Sequence, residues 1–303
     1  MAVPLGVAAL LLVQAAIWGS AFPMIKLGLE DFSVPHFTLL RHLVASATFV
    51  PLLLAFRAKL WPRRRDLPYF LLLGAVGFLV YHLALNYGEQ RVSAGAASLI
   101  IATAPAITAV IAAFMTDDRL PVGGWIGSAI SLLGVTLVVL GESRVDLGSA
   151  FSLYALFIVV AAVATAFFAV LQRKMFAHYR PIEVAAFATW LGTAPMLVFL
   201  PGLAGAVASA GSNALLAGVY TGILPSAVAY TIFAYALSKS PVTVVTAFLY
   251  MVPVFSLLGA WLLLGETPSL LTYLGGAVAI SGVVLLNLAK QRSTRRTTVR
   301  AAA

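Results

Sequence analysis

The sequence predicts an all-α membrane protein with ten transmembrane helices, arranged as two inverted five-helix repeats with both termini in the cytoplasm. Three observations predict this fold class: the composition, ten apolar runs of membrane-spanning length, and a repeat at one fixed separation. Hydrophobic residues make up 62% of the 303 residues and charged residues 10%. Soluble domains are roughly half apolar and about a quarter charged. The composition therefore indicates a polytopic membrane protein.

Each apolar run is about 20 residues long, which is the length that crosses a bilayer core. The runs are continuously apolar rather than alternating, so helices are predicted rather than barrel strands. The first run is longer than the apolar core of a signal peptide and lacks a basic segment before it, which favours a retained helix. The runs fall at 4–27, 34–56, 67–87, 93–115, 123–141, 151–173, 181–201, 212–237, 242–264 and 270–288.

Two stretches, 87–141 and 235–289, carry the same landmarks in the same order. Each landmark recurs 148 residues later: Tyr87 and Tyr235, Pro105 and Pro253, Gly127 and Gly275, Gly134 and Gly282. The repeat predicts two homologous five-helix units at 1–146 and 147–289, followed by a basic cytoplasmic tail at 290–303. Pro105 and Pro253 are predicted to bend their helices, because proline lacks an amide proton and frees a carbonyl one turn back.

The basic residues predict the orientation. Fifteen of the nineteen Lys and Arg residues lie on one side of the ten-span arrangement, in the loops near 56–66, 119, 173–180 and 239 and in the tail after 289. The opposite side holds Lys26, Arg91 and Arg144, and Arg41 lies within a span. The positive-inside rule therefore places both termini in the cytoplasm. Because each unit has five spans, the second enters the membrane upside down relative to the first.

An inverted repeat is typical of secondary transporters, because two equivalent halves can open one central site alternately to each side. The sequence holds no Walker A, H-E-x-x-H or G-x-S-x-G motif. Its cysteine count of zero excludes disulfides and thiolate metal sites. We therefore expect no catalytic residue, no cofactor and no metal. The basic residues form short clusters between apolar runs, which indicates topology rather than nucleic-acid binding.

Three stretches carry a resemblance to a known family: Trp18-Gly19-Ser20-Ala21-Phe22 followed by Lys26, the segment from Tyr87 to Pro105, and the segment with Tyr235, Pro253 and Leu264-Gly265-Glu266. They resemble the EamA-type members of the drug/metabolite transporter superfamily, and the similarity covers nearly the whole chain. Among these the chain most resembles the bacterial YddG-type exporters of amino acids, particularly aromatic ones.

The resemblance implies a ten-helix inner-membrane exporter. Helices 1–4 and 6–9 would surround a central cavity, and the fifth and tenth would lie at the periphery. The first half departs from the family pattern, because it has Asp117-Asp118-Arg119 where the second half has Gly265-Glu266.

Polar side chains within the spans are candidate cavity residues, because a hydrogen-bonding group facing lipid is costly. His82, Asn86 and Glu89 share one face of the third predicted helix. The separation of 148 residues maps His82 onto Tyr230, which lies one turn after Ser226. We predict that His82 and Tyr230 line the cavity. The alternative is that each hydrogen-bonds a neighbouring helix.

The first helix and the proline segments supply further candidates. Gln14 and Trp18 lie one turn apart on one face of the first helix, and Trp18 is too deep for the interfacial aromatic belt. Thr103 and Tyr250 lie close to the paired prolines. Packing without substrate contact is the alternative for each of them.

Arg41 is the one basic residue well inside a predicted span, where its charge is costly and a partner is expected. That partner is either Glu89 or a substrate carboxylate, with Lys26 in the same vestibule. The acidic residues all fall in loops or at predicted helix ends, and His82 is the only histidine predicted deep in a span. The mid-membrane carboxylate that is usual in proton-coupled carriers is therefore missing.

The sequence predicts a secondary transporter that exports aromatic and other neutral amino acids and similar small metabolites across a bacterial inner membrane. It would work by alternating access and facilitated diffusion. Alternatives of the same class are a proton-coupled drug/metabolite exporter and a nucleotide-sugar or phosphate-sugar translocator, which would need several buried Lys or Arg residues. A membrane enzyme or scaffold is the alternative of a different class.

The expected partners are a small-molecule substrate and membrane lipid, without nucleic acid. Glycine stripes on the fifth and tenth helices predict close helix packing within a monomer, and a homodimer is the alternative.

Overall fold

A computed structural model describes residues 5–115, 121–142, 151–240 and 242–302, and within these ranges the chain forms helices joined by turns, without a β-strand. The α-helices are α1 (Leu5–Asp31), α2 (Val34–Ala55), α3 (Leu67–Gly74), α4 (Tyr81–Glu89), α5 (Ala94–Ile101), α6 (Ala104–Met115), α7 (Val122–Glu142), α8 (Phe151–Leu171), α9 (Pro181–Met196), α10 (Leu203–Ser209), α11 (Ser212–Ile223), α12 (Tyr230–Lys239), α13 (Val242–Ala247), α14 (Val252–Leu264) and α15 (Leu270–Ala302). Two π-helical segments, Ala75–Val80 and Leu224–Ala229, join α3 to α4 and α11 to α12.

Within the described ranges, seven helical segments are long and apolar enough to cross a membrane: Leu5–Asp31, Val34–Ala55, Arg64–Glu89, Ala94–Ile111, Leu153–Ala177, Pro181–Phe199 and Ser212–Lys239. Shorter apolar helical segments are Val122–Val138, Phe248–Leu264 and Leu270–Leu286. The all-α fold is confirmed for the described residues, and each of these segments coincides with a predicted apolar run.

The helices differ from the predicted runs at several ends. α1 continues to Asp31, four residues beyond the predicted end. The short helix α10 was not expected, and α15 continues through the predicted tail to Ala302. Two runs are divided: one between α5 and α6, just before Pro105, and one by the 3-10 turn Phe248–Met251, just before Pro253. Proline disfavours helical geometry at the preceding residue and cannot donate to the helix ladder.

The start of α5 shows how the two halves are joined. Ser93 caps the helix by accepting a hydrogen bond from the Ala96 amide at 3.2 Å. The Glu266 carboxylate accepts another from the Ala94 amide at 2.9 Å, which places a negative charge at a helix N-terminus. Glu266, the acidic residue of the second half, therefore holds a helix of the first half. Asp117-Asp118-Arg119 lies outside the described residues.

On the side where the basic loops are expected, the connection between α2 and α3 is tied to the start of α9. The buried Glu183 carboxylate accepts a hydrogen bond from the Lys59 amide at 2.8 Å. The Tyr179 hydroxyl accepts one from the Arg63 amide at 2.9 Å and donates to Asp66 at 2.6 Å. Burial and the bond to Asp66 raise the pKa of the Tyr179 phenol, so the hydroxyl keeps its proton as a donor.

Helix α1 lies at the centre of the fold, packed against α5, α11, α12 and α14. Helices α7 and α15 pack mainly on each other. Gly134 lies against the backbone of Ala279, and Gly127 against the backbone of Gly282, so a Cβ at either glycine would overlap the partner helix. The prediction that the two small-residue stripes dock within one chain is confirmed. Large apolar side chains such as Leu132 stay exposed on the outside, where lipid can cover them.

Candidate functional site

A cavity lies in the middle of the fold, between helices of both predicted halves. Its lining comes from α1, α2, α4, α5, α8, α12 and α14, from both π-helical segments and from the 3-10 turn at 248–251. α7 and α15 contribute nothing to it in the described residues, and neither does α9, the seventh helix that was expected to surround it. Six aromatic side chains form much of the wall: Trp18, Phe22, Tyr81, Phe168, Tyr230 and Phe233. Arg41, His82 and Thr165 add polar groups.

The two π-helical segments lie against this cavity at matching positions. The first ends one residue before Tyr81, and the second ends one residue before Tyr230. A π-helical turn is wider than an α-helical turn and is frequent at functional sites. Gly77 in the first segment touches the ring of Phe168, and any Cβ there would overlap that ring. The segments thus set the direction of α4 and α12, which carry Tyr81, His82 and Tyr230 into the wall.

Trp18 joins α1 to the second half. Its indole Nε1 donates a hydrogen bond to the Pro225 carbonyl in the second π-helical segment, at 3.0 Å. Its ring centroid lies 5.1 Å from that of Tyr230 and 5.1 Å from that of Phe233. Edge and tilted contacts of this kind are favourable between aromatic rings. Trp18 therefore connects α1 to Tyr230 and Phe233 in the aromatic wall, and it also lines the cavity.

His82 lies in the wall and meets a second histidine that the sequence prediction missed. His42 on α2 is fully buried, so the expectation that His82 is the only histidine deep in a span is wrong. Each ring donates from Nδ1 to a carbonyl four residues earlier, that of Thr38 or that of Phe78. Because a carbonyl can only accept, these bonds place the imidazole proton on Nδ1 of both histidines. The signal for His42 was present, since it stands in the middle of an apolar run.

Arg41 places a buried positive charge in the cavity wall. The residue is 2% exposed, and its Nη2 donates to the Ser226 hydroxyl at 3.1 Å. Its Nε and Nη1 have no partner among the described residues. The ion pair with Glu89, which was one of the two expected alternatives, is not formed. Both carboxylate oxygens of Glu89 are buried and have no hydrogen-bond partner among the described residues. Two nitrogens of the guanidinium are therefore buried without a hydrogen-bond partner in a residue that lines the cavity.

Five other candidates lie outside the lining. Asn86 donates from Nδ2 to the Thr38 hydroxyl at 2.8 Å, because one turn beyond His82 the face of α4 meets α2. Ser226 does not line the cavity, but its hydroxyl accepts a hydrogen bond from Arg41, which does.

The remaining three pack inside the helix bundle. Thr103, in the turn between α5 and α6, donates to the Ile100 carbonyl of α5 at 2.6 Å. Tyr250 packs with Ala102 and Val283. Gln14 is fully buried one turn before Trp18, and neither end of its amide has a partner among the residues described.

The lining defines what chemistry the cavity supports. It offers a cation with two unsatisfied donors, two tyrosines, a histidine and a broad aromatic surface. The described lining residues include no Asp or Glu. Across the described residues, no cluster of three or more His, Asp or Glu side chains could hold a metal ion. The arrangement suits the reversible binding of a small molecule that has an anionic group and an apolar body.

The chain is similar to several known proteins. It is 39% identical over 271 residues to the uncharacterized transporter YdfC of Bacillus subtilis, covering 89% of this chain and 87% of that protein. It is 36% identical to a probable terminal-alkyne amino-acid exporter of Streptantibioticus cattleyicolor, covering 91% of this chain and 92% of that one. A probable amino-acid metabolite efflux pump of Escherichia coli is 27% identical over 92% of this chain and 93% of its own length.

The fold is also found in a solved crystal structure of a protein that is 20% identical to the chain. It matches with a TM-score of 0.65 and covers 94% of this chain and 98% of the other. The model of the EamA-like transporter family matches residues 5–140 and again residues 152–288. The similar proteins described above carry the names transporter, exporter or efflux pump, and the expected resemblance to the EamA-type transporters is confirmed. This chain belongs to the EamA-like transporter family.

Proposed function

We propose that this protein is a secondary transporter that exports amino acids, aromatic and other neutral ones, and similar small metabolites across a bacterial inner membrane. It works by alternating access and facilitated diffusion, as a monomer. Its ten helices form two inverted five-helix units, 1–146 and 147–289, with both termini in the cytoplasm. The observation that carries the proposal is the central cavity, where Arg41 and an aromatic wall from both units meet. The two matches of the family model and the names of two relatives support it.

The unsatisfied nitrogens of Arg41 suggest how a substrate carboxylate would bind. Arg41 Nε and Nη1 would bind the substrate carboxylate, while Trp18, Tyr230 and Phe233 cover its side chain. A buried cation without an anionic partner has lost its hydration, and charge-assisted hydrogen bonds to a carboxylate compensate for that loss. Each such bond contributes about 1.5–3 kcal/mol.

The two origins of the wall support alternating access. The α1, α2 and α4 side chains belong to the first unit, and the α8 and α12 side chains belong to the second. A change in tilt between the units would move the two parts of the wall against each other. The same change would open the substrate site to one side of the membrane and close it to the other.

Reconstitution into liposomes tests the proposal. We expect protein-dependent flux of labelled phenylalanine, threonine and methionine, which no scaffold would produce. Arg41→Gln should abolish this flux, whereas Arg91→Gln, at an exposed position, should keep it. Folded wild-type protein that moves none of the three amino acids would contradict the proposal.

A second candidate is proton-coupled export, and two observations favour considering it. His42 contacts His82, which lies in the cavity wall. The Glu89 carboxylate is fully buried and has no hydrogen-bond partner among the described residues. Groups of this kind act as proton carriers in pumps and transporters. A nucleotide-sugar translocator is not favoured, since Arg41 is the single Lys or Arg among the described lining residues.

A further inference from the structure

The charges of the cavity wall do not match the charges of a free amino acid. An amino acid brings a carboxylate and, on the adjacent carbon, an ammonium group. The carboxylate has a complement in Arg41, which keeps two unpartnered nitrogens. The ammonium has none, because the described lining contains no Asp or Glu. The wall is therefore complementary to one end of the zwitterion.

Neither Glu89 nor Glu266 lines the cavity, so neither contacts an ammonium group bound there directly. Glu89 lies on α4 seven residues beyond His82, and its side chain is not part of the lining. Glu266 holds the Ala94 amide at the start of α5. An ammonium placed beside the Arg41-bound carboxylate thus meets aromatic rings and the repulsion of the guanidinium.

Two effects act on the ammonium group of a bound zwitterion, and both weaken its binding. Two like charges close together in a low-dielectric site repel each other strongly. A buried ammonium without an anionic partner also loses its hydration. Contact with the faces of Trp18 or a tyrosine would offset part of this loss, because an aromatic ring attracts a cation. A compound with the same carboxylate and ring but no ammonium avoids both costs.

We propose that the cavity recognises the carboxylate and the aromatic body and does not require the ammonium. Aromatic monocarboxylates, such as 2-hydroxy and 2-oxo acids, are then ligands of the same site, and aromatic amines bind to it more weakly. This inference rests on the proposed function, because it takes the cavity as the substrate site. It assigns the substrate class by Arg41 and the uncharged remainder of the wall.

The experiment compares four compounds that share a phenyl ring: L-phenylalanine, 3-phenyllactate, phenylpyruvate and 2-phenylethylamine. Binding to the purified full chain is measured by calorimetry, and flux is measured in liposomes. We expect the two acids to bind at least as tightly as phenylalanine, and the amine about tenfold more weakly than either acid, a difference of about 1.4 kcal/mol. Arg41→Gln should bind the acids about tenfold more weakly than the wild type does, and it should bind the amine more tightly, because the repulsion by the guanidinium is removed. Arg91→Gln is the matched control.

The outcomes separate the inference from the proposed function. If phenyllactate binds about tenfold more weakly than phenylalanine, the ammonium is recognised and the inference is wrong, while amino-acid export stands. If the acids bind and move but no amino acid does, amino-acid export is wrong and the inference stands. If neither phenylalanine nor either of the two acids binds, both are wrong. Arg41→Lys keeps the charge and serves where Arg41→Gln does not fold, and the comparison in the wild type needs no variant.

Discussion

The imidazole rings of His42 and His82 meet in the protein interior, with centroids 4.4 Å apart and ring planes at 77°. The rings belong to α2 and α4. His42 donates to the Thr38 carbonyl of α2 at 2.7 Å, and His82 donates to the Phe78 carbonyl of the preceding π-helical segment at 3.0 Å. His82 also faces the cavity, whereas His42 lies behind it. The contact therefore links the cavity wall to the fully buried interior of α2.

The titratable groups in and behind the cavity wall lead to a prediction about energy coupling. We expect that an imposed pH gradient will not drive uphill accumulation of a neutral amino acid in liposomes, because the described lining holds no carboxylate that could exchange a proton as the site changes sides. The measurement follows efflux with and without the gradient, at fixed membrane potential.

Uphill accumulation would show that the protein is proton-coupled instead. In that case His42→Gln with His82→Gln should abolish it if the histidine pair carries the proton, and Glu89→Gln should abolish it if the buried carboxylate does. His178→Gln, at an exposed position, is the control for the loss of an imidazole.

Much of the fold could be predicted because membrane-spanning segments are set by local composition. The apolar runs locate the helices, since every backbone group in lipid must be satisfied within its own segment. The π-helical segments at Ala75–Val80 and Leu224–Ala229 could not be predicted in this way. They depend on how neighbouring helices pack, as at Gly77 and Phe168.

The cavity residues were predicted less completely. Trp18, Arg41, His82 and Tyr230 do line the cavity, because a polar or amphipathic group deep in a span turns away from lipid. The same argument cannot tell a cavity from a neighbouring helix, and Asn86 meets Thr38 instead. Apolar lining residues such as Phe233 carry no polar signal and resemble any core residue in the sequence.

The close packing of α7 on α15 leads to a stability prediction. Gly134→Leu should lower the thermal stability of the purified protein, because its side chain would overlap the Ala279 backbone. Overpacking of this kind costs about 1–3 kcal/mol. Gly205→Leu is the control, since a Cβ there meets no atom within 4 Å. Equal melting temperatures for the two variants would show that the two helices separate easily.

The proposed topology can be tested by labelling, because the chain has no native cysteine. Arg64→Cys should react with a membrane-impermeant thiol reagent only from the cytoplasmic side, and Glu30→Cys only from outside. The reason is the excess of basic residues on one side of the ten-span arrangement. Both positions are exposed, so failure to react reflects sidedness rather than burial. Reversed labelling would contradict the orientation.

Trp18 leads to a prediction about selectivity. Trp18→Ala should weaken the binding of phenylalanine more than that of threonine, because the indole offers stacking area that a threonine side chain cannot use. Aromatic pairs contribute about 0.5–1.5 kcal/mol beyond their buried area, which corresponds to a loss of roughly twofold to tenfold. Competition against labelled phenylalanine in liposomes measures the two affinities.

Two further variants separate stacking from structure at this position. Trp18→Phe keeps an aromatic ring but loses the 3.0 Å bond to the Pro225 carbonyl, so it should retain the preference for phenylalanine while lowering thermal stability. Trp261→Ala removes an indole that is 58% exposed on α14 and should change neither property. Equal losses for phenylalanine and threonine in Trp18→Ala would mean that Trp18 only supports Tyr230 and Phe233. Selectivity would then arise from those two rings.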